Sequence, residues 1–164
     1  MCYAYKQQIY AIYNLKEEGV FIMAKIKGRV HYVSPKGAAE AIAESISRVV
    51  GCPKEALLPA YLPVGTTLMF LGGEGVKMDK TTAEFIKSLN PDRVTYSALY
   101  SCNPKLSDAA LVEVKKGLEA QGIKVLDKFF TAPCKGLFGG KMPTDEDLKA
   151  AAAWANECIA KVQG

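Results

Sequence analysis

From residue 23 onward, strand-type and helix-type apolar patterns alternate about five times in roughly 140 residues, and this alternation constrains the fold more than any other feature. Ile26 to Val33 (IKGRVHYV) is rich in β-branched and aromatic residues and is predicted as a strand. Ala39, Ile42, Ile46, Val49 and Val50 then recur at helical spacing, and Gly51 is placed to stop that helix. Three prolines break up CPKEALLPAYLPV, so a second strand there is expected to be short and to lie at an edge. Gly65 to Gly73 (GTTLMFLGG) is predicted as a buried strand. A helix is expected from about Asp79 to Leu89, with Phe85, Ile86 and Leu89 inward and Asn90-Pro91 ending it.

Arg93 to Ser101 is the next predicted strand, and Ser107 is a candidate cap for a helix carrying Leu111, Val114 and Leu118 up to Gly122. Ile123 to Thr131 is the last strand, and Thr144-x-x-Asp147 is a capping box for a final helix with Leu148, Ala152, Ala155 and Ile159 on one side. Such an order implies an α/β fold of three layers, a mainly parallel sheet with helices on both faces. Right-handed crossovers leave few topologies for it. There is no internal repeat, linker or low-complexity segment.

The 164 residues suffice for one domain with a core. No apolar run approaches the ~18 residues needed to cross a membrane, so no membrane partner is expected. The net charge of +4, with Lys and Arg dispersed, is too mild to imply nucleic acid. Five widely spaced cysteines (Cys2, Cys52, Cys102, Cys134, Cys158) form neither a Cys-x-x-Cys nor a Cys/His cluster. Free thiols in a reducing cytoplasm, with no bound metal, are the expectation.

The first 22 residues differ from the rest: they hold four tyrosines, no clear period and no signal-peptide cleavage site. Lys16-Glu17-Glu18-Gly19 would be encoded by purine-rich codons that can spell a bacterial ribosome-binding site about three codons before Met23. The expected organisation is therefore an extension over 1–22, not native or disordered, followed by a domain over 23–164. A native arm that packs on the domain or on a partner is the alternative.

In a parallel sheet of this kind a ligand sits beyond the carboxyl ends of the strands, near the point where strand order reverses. The loops there are Ser34 to Gly37, Gly72 to Met78, Ser101 to Pro104 and Thr131 to Lys141. VSPKGAAEAIA, MFLGGEGVKMDKTTAEFI, SALYSCNP and FTAPCKGLFGGKMPTDEDLKAAAAWA flank these loops, and together they resemble the flavodoxin family from Ala24 to nearly the end of the chain. The resemblance implies a flavodoxin-like five-stranded parallel sheet of order 2-1-3-4-5, with FMN at the strand ends passing single electrons between redox partner proteins. It also implies the cofactor-binding residues. Ser34, Lys36, Gly37, Ala38 and Ala39 would face the phosphate. Gly72, Gly73, Glu74 and Gly75 would form the loop after the third strand, where Gly73 or Gly75 resembles the peptide that bonds the flavin N5 proton. Tyr100, Ser101 and Asn103 would line the ring, and Met78 could fill the place of a stacking aromatic.

The phosphate turn departs from the family's Ser/Thr-x-Thr-Gly-x-Thr pattern. Ser34 and Gly37 are kept, but Lys36, Ala38 and Ala39 replace residues with hydroxyl or amide side chains, and Pro35 has no N–H. Two lost hydrogen bonds of roughly 0.5–1.5 kcal/mol each would weaken phosphate binding by ~10-fold to over 100-fold, offset in part by Lys36. The same turn can be explained with no ligand, as Ser34 capping a helix and Pro35 in its first position. Likewise, Tyr100 could simply pack against a helix, and the glycines could belong to plain loops. Cys102 could come near Cys134 at adjacent strand ends, but spacing gives no geometric support for a redox pair. His31, the one histidine, reads as a core or supporting group.

Three functions remain open, and the first is the expectation, with the other two as alternatives. One is an FMN-binding electron carrier, although such carriers are usually acidic and this chain stays at +4 even without the extension, which holds Lys6, Lys16, Glu17 and Glu18. Another is a flavodoxin-like binding or regulatory module that has lost FMN. The third is a small flavin reductase, for which no residue selects a substrate. Hydrolase elbows, Walker loops and paired metal ligands are absent from the sequence.

Overall fold

The computed structural model describes residues 10–15, 21–74, 78–103, 108–134 and 142–164. Strands β1 (Tyr10–Leu15) and β2 (Phe21–Ile26) pair antiparallel as a separate two-stranded sheet, with Tyr10 opposite Ile26. Residues 1–9 and 16–20 of the expected extension lie outside the described residues.

The main sheet begins with β3 (Gly28–Val33), followed by α1 (Ala38–Val50) and a three-residue edge strand, β4 (Lys54–Ala56). Next come β5 (Thr66–Glu74), α2 (Lys80–Lys87), β6 (Val94–Cys102) and α3 (Ala109–Ala120). The chain ends with β7 (Lys124–Val125), β8 (Phe130–Ala132) and α4 (Asp145–Gln163). Order across the sheet is β4-β3-β5-β6-β7, every pairing is parallel, and β8 also pairs with β6. Counted from β3 this is 2-1-3-4-5, with the fifth strand in two pieces.

Three boundaries differ from the sequence reading, each for a local reason. The strand expected to start at Ile26 starts at Gly28, because Ile26 instead ends β2, paired with Tyr10. The last strand breaks between Val125 and Phe130, where Lys115 holds Asp127 at 2.6 Å and Trp154 Nε1 donates to the Lys128 carbonyl at 3.0 Å. Helix α1 begins at Ala38, behind a left-handed Gly37 (φ 88°), and not directly after Ser34. By contrast, the Thr144–Asp147 box forms in full: Asp147 N–H donates to Thr144 Oγ1 (3.2 Å), and Thr144 N–H donates to the Asp147 carboxylate (2.9 Å). Ser107 lies outside the described residues, and Asp108 caps α3 without a side-chain bond.

Side chains alternate across the sheet and build a core on each face. Val30, Leu68, Phe70, Ala98 and Tyr100 pack with α1 and α4, Trp154 included. Met69, Leu71 and Leu99 pack with Phe85 and Ile86 of α2 and with Leu111, Val114 and Leu118 of α3. No helix among the described residues is long and apolar enough to cross a membrane.

Candidate functional site

The parallel pairing of β3 with β5 sets Val33 beside Gly73. The next residue of each strand, Ser34 and Glu74, therefore leaves the sheet side by side. Glu74 has the same parity as Leu68 and Phe70, so its side chain projects to the α1 face, toward the start of that helix.

There the turn from Ser34 to Ala39 wraps the Glu74 carboxylate. Ser34 Oγ donates to Oε1 at 2.7 Å, Ala38 N–H donates to Oε1 at 2.7 Å and Ala39 N–H at 3.2 Å, while Lys36 N–H reaches Oε2 at 3.0 Å. Ser34 Oγ also accepts Glu40 N–H at 3.0 Å, so one hydroxyl joins the helix start to the carboxylate. Successive amides around a left-handed Gly37 make a concave nest for an anion, and the positive end of α1 adds to it. Partial burial alone would raise the Glu74 pKa, but bonds from Ser34, Ala39, Lys36 and Ala38 hold it below the ordinary carboxylate value. The group is thus ionised at neutral pH, and the turn after β3 is an anion cradle filled by the chain's own anion.

Other expected site residues lie close by but are engaged in packing. Tyr100 is fully buried among the α1 and α4 side chains, with its ring edge-on to Trp154 at 6.4 Å between centroids. Gly72 is its partner across β5 and β6, and a β-carbon built there would fall 2.5 Å from three atoms of the Tyr100 ring. The close approach that demands glycine at 72 is thus made by Tyr100. Gly73 is buried in β5. Ser101, also buried, donates to Thr131 Oγ1 at 3.2 Å, which donates in turn to Asp108 at 3.0 Å. Asn103 N–H donates to the Ala132 carbonyl at 3.0 Å, and Met78 packs against the α2–α3 core. Gly75 lies outside the described residues, as do Gly136, Phe138, Gly139 and Gly140.

A cavity of about 10 Å³, lined by Val33, Leu57, Leu71, Gly72, Thr82, Leu111 and Val114, sits under these strand ends. That is the space of a single water molecule. Among the described residues the arrangement does not fit FMN: a carboxylate fills the turn expected to hold its phosphate, and Tyr100 is fully buried and cannot stack on its ring.

His31 is buried beside the Phe85 ring at 5.1 Å, far from a catalytic arrangement, and neither ring nitrogen has a hydrogen-bond partner among the described residues. Sequence reasoning placed Glu74 in the loop but missed its role as the anion in the cradle. The signal was available: once the first and third strands are neighbours, an acidic residue ending the third stands beside the phosphate turn.

Neither a protein-family model nor a curated protein matches the chain. Solved structures do. A flavodoxin from the domain Archaea superposes with a TM-score of 0.59 at 18% identity, covering 84% of this chain and 99% of that one. Oxidised flavodoxin 2 from Bacillus cereus gives 0.59 at 13% identity over 82% of this chain and 98% of its own. Part of the rubredoxin oxygen:oxidoreductase of Desulfovibrio gigas, 36% of its chain, gives 0.58 at 12% identity over 83% of this chain. At such identities the likeness establishes the architecture, and the fold of this chain is flavodoxin-like.

Proposed function

We propose that this protein is a flavodoxin-fold binding or regulatory module that works without resident FMN. One observation carries the reading: the Glu74 carboxylate takes four hydrogen-bond donors, from Ser34, Lys36, Ala38 and Ala39, that a phosphate would need. A phosphate and an ionised carboxylate cannot share one nest, because like charges at contact repel and the donors are already used. The side-chain hydroxyls that would favour phosphate are also missing at positions 36, 38 and 39.

A second reading rests on the likeness in fold to flavodoxins. In it the chain is an FMN-binding carrier between redox partner proteins, and Glu74 leaves the cradle when the cofactor enters. The visible spectrum of the purified protein and a titration with FMN separate the two. The first reading expects a colourless protein whose unfolding temperature does not respond to FMN. It also expects Glu74→Ala, which empties the nest, to gain affinity for FMN or inorganic phosphate relative to the parent. A yellow protein with flavin near one per chain would overturn it and establish the second.

A further inference from the structure

Two thiols lie at the same end of the sheet. Cys102 closes β6 and pairs across the sheet with Glu74 on one side and Ala132 on the other. Beyond Ala132 the chain runs through Pro133 to Cys134, which turns with a positive φ of 41°, the one non-glycine residue in that region among those described. That turn leaves Cys134 in the same buried cluster as Cys102 and Ala132. Both cysteines are buried, at 4% and 3% exposure, in the core shared with Ala132. The two thiols are near enough that each affects the other's ionisation. The other described cysteines, Cys52 and Cys158, are buried elsewhere: Cys52 beside Gly28 and Cys158 on α4.

We propose that Cys102 and Cys134 are a redox dithiol that closes reversibly to an intramolecular disulfide under a hydroperoxide. Cys134 is the first to react, because it lies on the chain that leaves the sheet after β8, whereas Cys102 is held inside β6. The Cys134 thiolate attacks one peroxide oxygen, the O–O bond breaks, and the departing oxygen takes up a proton to leave as water or an alcohol. Cys134 is now a sulfenic acid. The Cys102 sulfur attacks that sulfur, its proton joins the departing hydroxide as water, and the S–S bond forms. Two thiols lose two electrons and two protons in all, and the peroxide is reduced by the same two electrons. Burial and the nearby Glu74 and Asp147 carboxylates raise both thiol pKa values. The first step is therefore slow, but the second is intramolecular and precedes overoxidation.

The test is made on the full chain, treated with hydrogen peroxide, alkylated and digested. The expected product is a Cys102–Cys134 linked peptide, in a protein that forms no intermolecular disulfide, is lighter by two hydrogens and returns to its original mass with a dithiol reductant. Cys102→Ser should leave Cys134 to accumulate as sulfinic or sulfonic acid, while Cys52→Ser should still form the link. Sulfinic or sulfonic acid on Cys134 of the parent protein with no linked peptide would overturn the proposal, as would links through Cys52 or Cys158 alone. Should Cys102→Ser fail to fold, the linked peptide in the parent and its loss on reduction decide the matter alone.

Discussion

Gly72 and Tyr100 face one another across β5 and β6, and the ring leaves no room for a β-carbon between them. Gly72→Ala must therefore push a fully buried ring against Trp154. Overpacking of this kind costs about 1–3 kcal/mol, to be read as a lower urea midpoint with an unchanged slope. The Tyr100 hydroxyl is a different matter. It is buried with no hydrogen-bond partner among the described residues, so its desolvation goes uncompensated. Tyr100→Phe should accordingly be neutral or stabilising by up to about 1 kcal/mol in the same unfolding assay. A hydroxyl held for a ligand would give the opposite sign on ligand binding, and the two measurements together tell a packing ring from a binding one.

At the scale of elements, α1 and α4 begin by different rules. Helix α4 starts on a side-chain cap read directly from Thr144-x-x-Asp147, and Thr144→Ala should cost about 1 kcal/mol of stability in thermal or denaturant unfolding. The start of α1 depends on a residue 36 positions away, because Glu74 satisfies the amides of Lys36, Ala38 and Ala39 that a local cap would otherwise serve. Ser34→Ala removes both the donor to Glu74 and the acceptor for Glu40 N–H, so it should cost more than the Thr144 change, about 1–3 kcal/mol by the same measurement. That contrast explains what was legible in the sequence. The capping box, the edge position of the proline-broken strand and the order of elements follow from residues within a few positions of one another. The late start of α1, the break in the last strand at Asp127 and Lys128 and the filling of the cradle depend on partners distant in sequence. In the sequence the aromatic at position 100 is a candidate ring partner, yet a strand-end tyrosine cannot be placed above or below its sheet until the register with Gly72 is known.

At the scale of the whole molecule, the main sheet separates two cores, and the only histidine lies in the one covered by α2 and α3. Its burial, with the Arg29 charge nearby, lowers the His31 pKa from 6.5 to about 4. Between those values the unfolded chain binds a proton that the folded chain refuses. Stability must then rise with pH across this window: the contribution is complete above about pH 6.5 and is lost progressively as pH falls toward 4. A shift of this size amounts to about 3 kcal/mol, a large part of what holds a domain of this length together. The carboxylates whose pKa values are lowered in the fold, Glu40, Glu44, Glu74 and Asp127, lose their contributions as they protonate below their unfolded pKa values of 4.5 for glutamate and 3.8 for aspartate, so the upper part of the window belongs to His31. Denaturant unfolding at intervals from pH 7 to pH 5 should show the free energy falling steadily in the parent protein. His31→Leu, which presents an apolar side chain to Phe85, should flatten that slope and leave the loss below pH 4.5 in place. A slope that survives the substitution would assign the acid sensitivity to another group and would mean that the buried imidazole is already able to accept its proton in the folded state.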